Sequence, residues 1–290
     1  MNIFKRLFGV AQEEKVPTKE ELQAENNKNF DILKYDGVRA LKTQRYDYAI
    51  ECFRHALDIN EDLEIHDYMS QAYLALSDLP NAYQHLQKLA EAQTDNINIF
   101  IRMAHVAYMM EDYSIMGTAC EKALLIDKES PDALHLYAKS CVGIGDVTNA
   151  VALLTKAVTV KPDYADAYLL RGEVLLKEER YDEADEDASW LLENYPGNED
   201  VLMLKANIEN SRSNDAVAME YLDKVIDANP FRQEAYALRG ELRRKAGDEA
   251  GAKEDIDYAA KLQEEPQEAG GENVEKKVKD AYANINPFGL

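Results

Sequence analysis

Residues 165–198 read ADAYLLRGEVLLKEERYDEADEDASWLLENYPGN, two amphipathic segments joined by a polar turn and followed by a proline. Tyr168, Gly172 and Leu175 fall at i, i+4 and i+7, which places them on one face of a first helix. Tyr181, Ala184, Ala188, Leu191 and Leu192 form the same kind of stripe on a second helix. Lys177 to Arg180 hold no apolar side chain and predict the turn between the two. Pro196 predicts the stop, because proline lacks the N–H that a helix interior uses. The segment reads as a helical hairpin.

The hairpin recurs along the chain. Its first helix carries a small residue at Gly37, Ser70, Ala104, Ala138, Gly172, Ala206 and Gly240. Its second carries one at Ala49, Ala82, Ala150, Ala184, Ala218 and Ala252, with Met116 filling the remaining position. Both ladders step once by 33 residues and thereafter by 34, and Pro162, Pro196 and Pro230 repeat at 34. Self-similarity at this period indicates a stack of helical units, none of which can bury its apolar face alone. Small residues at fixed positions let paired helices approach to about 8–10 Å.

These ladders resemble the tetratricopeptide repeat (TPR) family. The likeness rests on Tyr168, Gly172, Tyr181, Ala184 and Pro196, on Gly37, Tyr46, Ala49, Phe53 and Ala56, and on Tyr236, Gly240, Ala252 and Ala259. The resemblance implies an all-α solenoid of about seven helix-turn-helix repeats wound into a right-handed superhelix. Its approximate repeats are 30–63, 64–96, 97–130, 131–164, 165–198, 199–232 and 233–262. Two repeats depart from the pattern: 64–96 is a residue short with Leu89 in an alanine position, and 97–130 has Met116.

The flanks read differently. Residues 1–16 hold a short amphipathic stripe, Ile3, Phe4, Leu7 and Phe8 beside Lys5 and Arg6, able to dock on a partner or an anionic membrane surface. Thr18 and Glu21 predict a capping box opening a lead-in helix over 17–29. Residues 263–273, with Pro266 and Gly270-Gly271, read as a linker. Val274, Val278, Ala281, Tyr282 and Ile285 predict a last amphipathic helix and tail over 274–290, which can cap its own stack or bind elsewhere. Oligomeric state stays open at this level.

Composition narrows the function. Lys and Arg total 33 against 55 Asp and Glu, a formal net charge of −22. Such a surface repels phosphate backbones, so nucleic acid is disfavoured and a protein segment is the expected partner. Cys52, Cys120 and Cys141 lie inside helical patterns without CxxC spacing, as free thiols of a reducing compartment do. No apolar run is long enough to span a bilayer, and residues 1–10 lack the pattern of a secretory signal. The expected location is the cytoplasm, with peripheral contact to the inner face of a membrane as the alternative.

No catalytic motif, metal set or cofactor loop is legible, so the chain reads as a non-enzyme with no cofactor. The five histidines form no HxxxH or HExxH pair, and the run Glu183–Asp187 reads as a solvated outer face. In the family, first helices line a concave groove that binds peptides. Carried over, that role falls on Tyr35, Tyr68, Arg102, His105, Tyr108, Met109, His135 and Lys139. Basic and aromatic residues in so acidic a chain suit an acidic or carboxylate-ended peptide. The family's carboxylate clamp for chaperone tails is not matched, since Val38 follows Lys34 and Val106 follows Arg102 at the four-residue spacing. The expectation is a scaffold or adaptor binding a partner's peptide or helix, with a membrane-peripheral assembly factor recruited through residues 1–16 as the alternative.

Overall fold

The computed structural model describes residues 18–264, in which every regular element is an α-helix. The predicted docking stripe from Ile3 to Phe8 and the predicted 274–290 helix lie outside the described residues. The chain divides between Thr94 and Asp95 into two compact units.

The first unit holds α1 (Lys19–Lys42), α2 (Tyr46–Ile59), α3 (Leu63–Ala75) and α4 (Leu79–Ala92), each packed on the next. The expected lead-in and the first repeat helix are one continuous helix of 24 residues. Thr18 opens it: its hydroxyl accepts from the Glu21 N–H at 3.2 Å, while Glu21 Oε2 accepts from the Thr18 N–H at 2.8 Å. Ala40, Ala49, Phe53, Ala56, Ile65 and Met69 form the core. Gly37 is where the fit is tightest, since a Cβ there would lie 2.5 Å from the ring of Phe53.

The second unit holds α5 (Ile97–Met109), α6 (Tyr113–Ile126), α7 (Pro131–Gly143), α8 (Val147–Val160), α9 (Ala165–Lys177), α10 (Tyr181–Asn194), α11 (Glu199–Ser211), α12 (Asp215–Ala228), α13 (Gln233–Lys245) and α14 (Glu249–Glu264). Each helix packs on its successor, and α5 on α7 and α9 on α11 bring first helices of adjacent hairpins together. Leu175, Ala184, Ala188, Leu191, Val201, Leu204 and Ile208 show the interlock, with three helices sharing one apolar cluster.

The turns repeat with the helices. Gln44, Ser77, Glu111, Gly145, Glu179, Ser213 and Gly247 all adopt positive φ, at the same 33- and 34-residue steps. Each lets the following N–H reach the carbonyl five residues back, at 2.8–3.0 Å, which closes the first helix in a Schellman turn. Asp78, Asp112, Asp146 and Asp248 then cap the second helix by accepting from the N–H three residues on.

The run Glu183–Asp187 corrects the solvated-face expectation. Asp187 is 3% exposed and takes a two-pronged bond from Arg171, at 2.9 Å from Nε and 2.6 Å from Nη2. Asp185 bonds Arg212 at 2.9 Å and also Lys205. Arg239 and Asp255 repeat the Arg171–Asp187 pair two periods later, at 2.9 and 2.7 Å. A helix that looks acidic all round thus turns some carboxylates inward, because cationic side chains before and after it in the chain satisfy them.

Two stability measurements test this packing. Gly37→Ala is expected to destabilise by about 1–3 kcal/mol, because the wholly buried Phe53 ring has nowhere to move. Gly172→Ala is expected to lose less, since it meets only the Cδ2 of the flexible Leu204. Arg171→Met should lose about 3–5 kcal/mol by stranding the Asp187 carboxylate, whereas Arg171→Met with Asp187→Leu should recover most of that loss in denaturant melts.

Candidate functional site

The second unit gathers six of the predicted residues on two adjacent first helices, α5 and α7. His105, Tyr108 and Met109 come from the end of α5, and His135 and Lys139 from α7. Lys139 Nζ stands 5.3 Å from the centre of the Tyr108 ring, a cation–π distance. The charge of Lys139 acts on both His105 and His135, which places the three together. Tyr108 and Met109 remain half-buried. Arg102 lies deeper, at 8% exposure, and its guanidinium belongs to the packed face of α5 more than to an open surface.

Tyr35 and Tyr68 belong to the first unit. Tyr35 is 68% exposed on α1. Tyr68 is engaged, donating to Glu64 at 2.8 Å and stacking 5.5 Å from Phe53.

The site's basicity differs from its composition. Burial, and then the Lys139 charge, holds the His105 imidazole down at about 4 and that of His135 at about 3. Both are neutral near pH 7, so Lys139 supplies the ammonium charge at this spot. Its own pKa is lowered, because burial penalises the charged form. The pattern reading missed Tyr164, whose hydroxyl lies 3.3 Å from His135 Nδ1 and donates to Asp132 at 3.2 Å. A signal for it exists in the sequence. Asp62, Asn96, Ser130, Tyr164, Asn198 and Arg232 occupy one position at 34-residue steps, and Asp62, Asn96, Ser130 and Asn198 cap a first helix. Tyr164 and Arg232 make no side-chain cap. They reach instead across the neighbouring first helix, Tyr164 to Asp132 and Arg232 to Asp200 at 2.8 Å.

Among the described residues no group of three or more His, Cys, Asp or Glu is placed to hold a metal ion. No described helix is long and apolar enough to cross a membrane. Cys52, Cys120 and Cys141 are free and buried.

A tetratricopeptide repeat family model matches residues 142–208, the stretch containing α9 and α10. Over those residues the chain carries the tetratricopeptide repeat pattern. A solved TPR protein from Parabacteroides merdae superposes with a TM-score of 0.67 at 16% identity, covering 89% of this chain and 100% of that one. YrrB, described as a TPR protein with an unusual peptide-binding site, superposes at 0.50 with 17% identity, covering 62% of this chain and 93% of YrrB. Among curated proteins, DnaJ homolog subfamily C member 3 of Mus musculus is 26% identical over 226 residues. That alignment covers 73% of this chain but only 38% of the relative.

The histidines make stability pH-dependent. Their folded pKa values lie below the unfolded value of about 6.5, so the neutral form is favoured by folding. The contribution is fully present above about pH 6.5 and is lost as pH falls toward about 4 and about 3. Thermal melts are expected to drop between pH 7 and pH 5, each histidine contributing up to about 1.4 kcal/mol per pH unit. His135→Gln should flatten that slope; an unchanged slope would place the dependence elsewhere.

Proposed function

We propose that this TPR chain is a non-catalytic interaction scaffold that holds a segment of a partner protein against the α5–α7–α9 face of its second unit. The observation that carries the reading is Lys139: a half-buried ammonium lying over Tyr108 beside two neutral imidazoles, with no carboxylate within ion-pair distance among the described residues. An isolated charge in such a place has lost hydration without regaining a partner, and a ligand acceptor restores what was lost. The aromatic ring and Met109 add apolar surface beside it, the usual composition of a peptide-binding face. YrrB, whose described feature is a peptide-binding site, shares the fold and supports a peptide as the class of ligand. The cytoplasm is the proposed location, consistent with three free thiols.

Partner capture on the immobilised full chain tests this reading. Lys139→Glu and Tyr108→Ala are each expected to weaken retention about tenfold or more while leaving the helical circular dichroism unchanged. Added salt should weaken the wild-type complex and act little on the Lys139→Glu variant. Retention that ignores both substitutions would remove the α5–α7–α9 face from the function.

A further inference from the structure

His135 on α7 is 7% exposed, and only one of its two ring nitrogens has a partner among the described residues. Nδ1 stands 3.3 Å from the Tyr164 hydroxyl, which donates its single proton to Asp132 Oδ1 at 3.2 Å. A carboxylate only accepts, so the phenol proton is used there and the phenol oxygen receives from His135. Nδ1 therefore carries the imidazole proton, and Nε2 is left as a bare lone pair. Burial, and then the charge of Lys139, keeps the ring neutral near pH 7, so the lone pair is retained. The His135 and Tyr164 rings meet edge to face at 5.3 Å between centres, which holds the orientation.

Lys139 follows His135 by four residues on α7, so the two side chains share one face a single turn apart. No hydrogen bond joins them. The ammonium leans to α5, 5.3 Å from the Tyr108 ring, while the imidazole leans to Tyr164 at the start of α9. The face thus offers a strong donor and, beside it, a neutral acceptor. A carboxylate suits the first and sets its own lone pair against the second. A backbone peptide unit fails as well, because its trans geometry points N–H and C=O in opposite directions. A hydroxyl has acceptor and donor on one atom, whereas the two protein groups lean apart. A side-chain carboxamide carries its oxygen and its NH2 on neighbouring atoms and meets both.

We infer that the group seated on α7 is the carboxamide of an Asn or Gln, its oxygen on Lys139 and its N–H on His135 Nε2. Tyr164 is then the positioning residue that sets the histidine tautomer. This rests on the peptide-binding reading and deepens it. The charge of Lys139 still draws an acidic segment in, which is where salt acts, and the hydrogen bonds select the seated group.

Nitrogen-15 NMR of the imidazoles, in the full chain near pH 7, tests the tautomer without a ligand. His135, assigned by the signal lost in His135→Gln, is expected to be protonated at Nδ1 and bare at Nε2. Tyr164→Phe should mix the two tautomers while leaving the helical circular dichroism unchanged. A wild-type His135 protonated at Nε2 would overturn the proposal. Peptides selected on the folded full chain from a random display library then test the seat. They are expected to share an Asn or Gln whose exchange for Asp or Glu weakens binding about tenfold, the cost of an acceptor left unsatisfied. In Tyr164→Phe that preference should shrink toward parity, because His135 is free to turn an N–H to the carboxylate. A loss of packing alone would weaken both peptides alike. Selected peptides that depend on an acid or a hydroxyl instead, or a preference that survives Tyr164→Phe intact, would overturn the carboxamide and leave peptide binding standing. Recovery of no peptide by the folded wild type would overturn both.

Discussion

Two α-helices come close where the side chain between them is small or missing, and the described structure depends on that. Gly37 under Phe53, Gly172 under Leu204 and Gly240 under Ile256 are places where one methyl group would collide with a neighbour. Once the pair has closed, its outer surfaces are still apolar, so the next hairpin is recruited to cover them. The left-handed residue at each turn makes the reversal short enough for the pair to close at all. At Gln44, Ser77, Glu111, Glu179 and Ser213 a residue other than glycine accepts that strained conformation. The strain is tolerated because the bonds of the turn and the packing of both helices determine the geometry together.

The periodic part of this was legible in the sequence. Small-residue ladders and the capping box at Thr18 are statements about one residue and its near neighbours, and helical periodicity exposes them directly. What was not legible were pairings between helices of opposite appearance. Asp187 sits among Glu183, Asp185 and Glu186, and nothing in that run separates the buried carboxylate from the exposed ones. Only Arg171, sixteen residues earlier, makes the difference. The same holds for His105 and His135, which count as basic in a composition and are neutral in their surroundings.

Departures from the repeat carry the proposed site. Where a ladder position holds a capping Asn, Ser or Asp, it serves the helix. Where it holds Tyr164 or Arg232, the side chain is released from that duty and turns to its neighbours. Lys139 is a comparable case, a cation at the position that holds Glu173 in the next repeat. A repeat protein offers the same set of sites over and over, and recognition is written in the places where the repetition fails.

The second unit is held together by different chemistry at its two ends. Buried imidazoles on α5 and α7 keep the early hairpins apolar, while guanidinium–carboxylate forks lock α9 to α10 and α13 to α14. Acid therefore acts on the two ends differently, charging the imidazoles at one and discharging the paired carboxylates at the other. Because each hairpin leans only on its neighbours, proton uptake by the imidazoles in mild acid is expected to loosen the stack locally, around α5–α7. Amide exchange would read it as graded protection along the sequence, and the face that carries Lys139 lies in the softer part.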